Sequence, residues 1–177
     1  RAGNFLKKGL PYTGALKVLK VMMGYEYLWT QVRVKGGAYG CMCTFSRSGD
    51  SYFVSYRDPN LEKTIETYQE AADYVKNYEA DERTVTQFII GAVSELDTPM
   101  TPKGRGNYSL SGYLTGLTMD RIQQERDELL ATTAETIKGL SCYIEAFMKD
   151  DCLCVVGNGE KIKEEKKLFL SVDQLFH

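Results

Sequence analysis

The sequence predicts an α+β fold in which an antiparallel or mixed β-sheet carries its helices on one face, and three observations predict it. Cys41 to Ser46 and Tyr52 to Arg57 alternate in the manner of strands and flank Ser48-Gly49-Asp50, which marks a hairpin. Several longer stretches repeat apolar residues at helical spacing. These helical stretches follow one another in runs instead of alternating singly with strands, which separates the pattern from a doubly wound sheet. With 43% hydrophobic and 11% aromatic residues, the 177 positions can bury a core as one domain, 1–177.

Taken in order, residues 1–8 read as a short strand that Gly9 to Thr13, with Pro11, breaks. Leu16, Leu19, Met23 and Tyr27 then form one stripe of an amphipathic helix that frays near Trp29 to Val32. Gly36, Gly37 and Gly40 interrupt the chain before the hairpin. Asp58 and Pro59 offer an N-cap and first-turn proline to a helix striped by Leu61, Ile65, Tyr68, Ala72 and Val75. Asp81 caps the next, which carries Val85, Phe88, Ile89, Ala92, Val93 and Leu96 until Thr98-Pro99 ends it. Residues 99–117 are rich in Pro, Gly and Ser and read as a long loop, functional or mobile. Thr118 and Thr133 cap two more helices, the second turning Ile137, Leu140, Ile144 and Phe147 inward. A strand is expected from Cys152 to Val156, a charged surface helix from Glu160 to Leu168, and a last extended piece from Val172 to Phe176. No internal repeat is visible.

Charge and composition narrow the functions. Twenty-two Lys plus Arg against 24 Asp plus Glu leave a net charge of −2, so no global field draws nucleic acid or an anionic membrane, and neither is expected as a partner. No run approaches the roughly 18 apolar residues of a spanning helix, and no signal peptide is evident, so the chain reads as soluble. Beginning at Arg1, it reads as a fragment or processed product. The only histidine is His177, native or a remnant of expression, so Ser-His and Cys-His pairs and histidine-built zinc sites are excluded within the domain. No metal ligands are assigned. Cys41-x-Cys43 and Cys152-x-Cys154 have too close a spacing for most zinc sites, and buried free thiols in a reducing compartment account for them better. Gly157-x-Gly159 lacks the third glycine of a dinucleotide loop, since Ile162 stands there. Lys103-Gly104-Arg105-Gly106 is not followed by the Lys-Ser/Thr of a phosphate loop. The many carboxylates, Glu95 and Asp97 included, are given no role.

The stretch from Arg33 to Gly40 carries the most chemistry. Three glycines in five residues permit backbone conformations closed to other residues and let a second chain approach. Arg33 offers five donors in a fixed fork and Tyr39 one phenolic O–H. Together they can hold a peptide backbone, or stabilise an oxyanion as a carbonyl becomes tetrahedral. An ordinary helix-to-strand turn with a surface Arg and a half-buried Tyr is the alternative.

Tyr27-Leu28-Trp29-Thr30-Gln31-Val32-Arg33-Val34-Lys35-Gly36-Gly37-Ala38-Tyr39-Gly40 closely resembles the Arg-plus-Tyr motif in the C-terminal half of the insulinase/pitrilysin superfamily of zinc peptidases, in its presequence-protease branch. Asn4-Phe5, Tyr52 to Asn60, Ile90-Gly91, Leu96 to Pro99 and Gly112 to Gly116 extend the resemblance over nearly the whole chain. It implies the insulinase/mitochondrial-processing-peptidase-like metallohydrolase fold, and a place as the last of four homologous domains whose two halves close around unfolded peptides. It places the zinc of the parent metalloendopeptidase in the first domain, on an inverted His-x-x-Glu-His motif with a distal Glu. Nothing here matches that motif, so no cofactor is expected in this chain and the domain alone should be inactive. Carried over, Arg33 orients substrate, Tyr39 donates to the developing oxyanion, and Gly36, Gly37 and Ala38 line the substrate beside them. The partners implied are an unfolded peptide and the N-terminal half of the same parent, where zinc-bound water would attack. Compartment stays open, with a bacterial cytoplasm favoured over an organelle matrix. Two alternatives remain: a non-catalytic assembly subunit of the same superfamily, against which the intact Arg33 and Tyr39 weigh, and an unrelated thiol-based redox or metal module.

Overall fold

A computed structural model describes residues 1–174. Three antiparallel strands, β1 (Ala2–Asn4), β2 (Gly40–Phe45) and β3 (Asp50–Tyr56), form one sheet in the order β1-β3-β2. The hairpin register sets Gly40 opposite Tyr56, Met42 opposite Val54 and Phe45 opposite Ser51. Because side chains alternate along a strand, the pleat sorts this sheet cleanly. Cys43, Phe45, Ser51 and Phe53 are buried on one face, while Met42, Tyr52, Val54 and Tyr56 are exposed on the other. The fold is α+β with an antiparallel sheet.

The helices cover the buried face. The predicted stripe Leu16, Leu19, Met23 and Tyr27 is buried throughout. Its first part is α1 (Ala15–Met22). The second does not fray: the chain continues as a wide π-helix, Met23–Lys35. Its buried residues Met23, Tyr27, Leu28 and Val32 fall into the pairs 23/28 and 27/32, five apart, which suits the i→i+5 bonding of such a helix. Next come α2 (Glu62–Lys76) and α3 (Glu82–Leu96), the latter capped as expected by Asp81, which accepts from the Thr84 N–H at 2.8 Å. Asp58 does not cap α2. Its carboxylate accepts from the Asn60 N–H at 2.9 Å and the Thr64 hydroxyl at 2.7 Å, building a turn ahead of the helix instead.

The stretch 99–117, expected as a loop, is largely α4 (Pro102–Thr115). Thr101 caps it by accepting from the Gly104 N–H at 3.1 Å, Pro102 opens its first turn, and Gly116, at φ +68°, ends it. The helix buries none of its residues, so no apolar stripe announces it. Thr118 and Thr133 cap α5 (Met119–Leu130) and α6 (Ala134–Gly139) as predicted. α7 (Ser141–Met148) follows α6 directly, and Ile137, Leu140, Ile144 and Phe147 are buried across the two. The core sits where Phe147 meets Phe53 at 5.1 Å and Phe45 at 6.1 Å, with Tyr68 of α2 5.5 Å from Phe53.

Residues 152–156 form no strand: Cys152 alone makes a bridge, to Ala2. Asp151, at φ +52°, turns the chain just before it, and β1 is too short to template more. The surface helix expected from Glu160 is α8 (Gly159–Glu164), followed by a 3-10 turn, Lys166–Leu168. The extended piece expected from Val172 to Phe176 falls partly outside the described residues, and His177 lies wholly outside them. β1 is sealed to the end of α7 by the Asn4 N–H to Asp150 at 2.7 Å, the Lys8–Asp150 ion pair at 2.7 Å, and Arg1 donating to the Met148 carbonyl at 3.1 Å.

Candidate functional site

Arg33 lies near the end of the π-helix and Tyr39 just before β2, so the glycine turn between them sets their spacing. The Gly37 N–H donates to the Arg33 carbonyl at 2.9 Å and the Ala38 N–H to the Val32 carbonyl at 3.1 Å, which closes the helix end. Gly37 takes φ +80°, a left-handed conformation that L side chains resist. At Gly36 a Cβ would overlap the Val32 carbonyl oxygen, so the close approach of turn to helix requires a glycine there. The Asn60 side-chain amide donates to the Gly36 carbonyl, pinning the turn to the segment before α2. Ala38 is buried as the peg of the turn.

Arg33 is tied to the main chain of Tyr39. Arg33 Nε donates to the Tyr39 carbonyl at 2.9 Å, and its guanidinium carbon sits 3.8 Å from the centre of the Trp29 ring. Stacking and hydrogen bond fix the plane of the fork. Its two terminal nitrogens make no hydrogen bond among the described residues. Tyr39 is 64% exposed, and its ring meets Tyr56 edge-on at 5.6 Å. The exposed sheet face with Met42, Val54 and Tyr56 continues from it.

The platform beneath is rigid. Tyr27 donates from its hydroxyl to the Thr67 carbonyl at 2.7 Å, and Glu26 accepts from Tyr78 at 2.9 Å and Tyr74 at 3.3 Å, so the π-helix is tied to α2 and the residues after it. Trp29, Tyr56, Arg57 and Asn60 complete the site although sequence reasoning gave none of them a role. The register pairing Gly40 with Tyr56 is the signal that brings the second segment to the first.

The thiols do not form a second centre. Burial pushes Cys43 up to about 12 and raises Cys41 as well, where Arg33 only partly opposes it. Thiols held protonated are poor nucleophiles and poor metal ligands. Cys152 and Cys154 are exposed, and all five cysteines are free. Among the described residues no group of three or more His, Cys, Asp or Glu is placed to hold a metal ion. These residues do not fit a zinc centre, whereas the Arg33 guanidinium and the Tyr39 hydroxyl are groups able to donate to a carbonyl or carboxylate oxygen.

Residues 1–156 match the family described as PreP C-terminal domain. Over 172 residues the chain is 44% identical to Protein HypA of Clostridium perfringens, an alignment covering 97% of this chain and 18% of that protein. It is 34% identical over 163 residues to presequence protease 1, chloroplastic/mitochondrial, of Arabidopsis thaliana, covering 92% of the chain and 15% of the relative. With the mitochondrial presequence protease of Saccharomyces cerevisiae it shares 35% over 133 residues, 69% of the chain and 13% of the relative. The chain thus spans only a small part of the length of these relatives.

Proposed function

The chain belongs to the PreP C-terminal domain family, and from that premise we propose that it serves a longer zinc-dependent peptidase as a non-catalytic domain that grips peptide substrate and completes the active site. The metal and its ligands lie elsewhere in that parent. In this reading the Arg33 fork binds a carbonyl of an unfolded peptide and sets its register. The Tyr39 hydroxyl donates to the oxygen of the scissile carbonyl as it gains charge. Gly36 and Gly37, lacking side chains, let the peptide backbone pass close to both. The N-terminal half of the same parent supplies the opposite wall, and closure brings the donors to the reacting bond.

The observation that carries this reading is the coupling of the two donors. Arg33 is locked to the Tyr39 carbonyl and to Trp29, while the Tyr39 side chain is largely exposed. An Arg oriented by the main chain of a residue whose own ring is largely exposed is poorly explained as packing.

The test uses the full-length parent on a short unfolded peptide. One well-placed oxyanion donor is worth about 10²–10³ in kcat, so Tyr39→Phe should lower kcat by that order with the fold intact by circular dichroism. Arg33→Ala should raise KM as well as lower kcat/KM. Wild-type turnover by both variants would overturn the assigned roles.

A further inference from the structure

Arg57 directly follows β3, opposite the glycine turn, and its backbone is in an unusual state. At φ +48° it is, with Asp151, one of two non-glycine residues at positive φ among the described residues. For an L-residue that conformation costs on the order of 1–2 kcal/mol. Glycine would adopt it at little cost, and asparagine at less cost than arginine. The long, exposed side chain at this position is not compensated by burial.

What the strained backbone achieves is the placement of the guanidinium. Its central carbon lies 5.5 Å from the centre of the Tyr39 ring and 5.3 Å from that of Tyr56. The two rings meet at 84°, so one cation serves both π faces within the range of a cation–π contact. The backbone makes the same connection, since the Tyr39 N–H is shared between the Tyr56 carbonyl at 3.2 Å and the Arg57 carbonyl at 3.3 Å. Tyr39 is therefore fastened to residues 56 and 57 by main chain and by ring. With 64% of its surface exposed, it has little packing of its own to fix its torsions.

We infer that Arg57 is a positioning residue: its left-handed backbone swings the guanidinium onto the Tyr39 and Tyr56 rings and holds the Tyr39 phenol in one orientation. This rests on the role proposed above for Tyr39, and it adds a residue that acts on the reaction through another. An exposed tyrosine free to turn about two torsions aims its hydroxyl correctly only part of the time. Arg57 removes that freedom.

The experiment measures kcat and KM in the full-length parent for Arg57→Ala, Arg57→Lys and Arg57→Gly, and for Arg57→Ala combined with Tyr39→Ala. A cation–π contact of this kind corresponds to about a 3- to 30-fold drop in kcat for Arg57→Ala, with KM within about twofold. Lysine keeps the charge and should restore part of the loss. Arg57→Gly should melt at or above the wild-type temperature, because glycine relieves the backbone, and still lose kcat as alanine does. That pairing separates a lost position from a damaged fold. In the Tyr39→Ala background, Arg57→Ala should change kcat by less than about twofold. If Arg57→Ala keeps wild-type kcat while Tyr39→Phe loses turnover, the positioning role falls and the site reading stands. An equal loss in the Tyr39→Ala background would show that Arg57 meets substrate itself and would also overturn it. If Tyr39→Phe is fully active, the site reading fails and the role of Arg57 goes with it.

Discussion

Replacing Arg47 by alanine should destabilise the chain far more than replacing its partner Glu125 by leucine. Arg47 reaches from the β2–β3 turn to Glu125 on α5 and donates from Nε to both carboxylate oxygens, at 2.9 and 2.8 Å, while its terminal nitrogen closes to 2.7 Å. Arg121 adds a looser contact at 3.3 Å. The two partners differ in exposure: the Glu125 side chain is 3% accessible and that of Arg47 38%. Arg47→Ala therefore leaves a largely buried carboxylate with only the looser Arg121 contact. Removing one partner of a buried pair costs about 3–5 kcal/mol, and the surviving Arg121 puts the expectation at about 3. Glu125→Leu leaves an arginine that can turn into solvent, and leucine fills the space, so the expected loss is about 0–1 kcal/mol. Urea unfolding of the 177-residue chain reads the contrast. For a slope of about 2 kcal/mol/M the midpoints of the two variants should differ by roughly 1 M or more, with Arg47→Ala the lower. If Glu125→Leu proves as destabilising as Arg47→Ala, the asymmetry of exposure does not govern this pair.

Glu128 holds the start of α1, accepting from the Gly14 N–H at 2.7 Å and the Thr13 hydroxyl at 2.8 Å. Burial pushes its pKa up, but the bonds from Gly14, Thr13 and Gln124 outweigh that and hold it below the usual carboxylate range. Its ionised form thus stabilises the fold fully above the ordinary value of 4.5, and that contribution is lost as pH falls through the lower folded value. A stability gap of about 1 kcal/mol between wild type and Glu128→Gln at neutral pH should close in acid, and a gap independent of pH would count against the mechanism. Gly37→Ala places its Cβ 3.6 Å from the Pro59 ring, an ordinary contact, so the cost should be backbone strain alone. That is about 1–2 kcal/mol, or a fall of roughly 2–8 °C in Tm, and an unchanged Tm would show that the turn relaxes to negative φ.

The donors of the site were legible in the sequence because an Arg, a Tyr and three glycines within eight residues combine reach with backbone freedom. Their setting was not. Trp29 stacks on Arg33 from one turn earlier on the same helix, a pairing that composition alone does not single out. Asn60 reaches Gly36 through a contact that exists only once the hairpin has folded. The π-helix escaped a search tuned to 3.6 residues per turn, since Met23 and Leu28, like Tyr27 and Val32, repeat five apart. α4 was read as a loop because Gly104, Gly106 and Gly112 dilute it and it buries nothing, although Thr101-Pro102 and Gly116 are proper start and stop signals. Cys152 to Val156 has the composition of a strand, but pairing depends on a free neighbouring edge, which a single sequence does not disclose.

The contacts that build the site are close together along the chain. Arg33 and the carbonyl of Tyr39 are six residues apart, and Asn60 and Gly36 are 24 apart, whereas the seam joining Asn4 to Asp150 spans 146. Closing the 146-residue loop costs about 1.6 kcal/mol more chain entropy than closing the 24-residue one. During synthesis the residues through Asn60 emerge before Asp150 does, so the short-range contacts of the turn are available first, and α2 and α7 fix the platform beneath them afterwards. Damage at the seam would then act late, on the completion of the domain, before it reaches the short-range contacts of the turn. Inherited or engineered changes near Asp150 should accordingly lower yield before they lower the quality of the site.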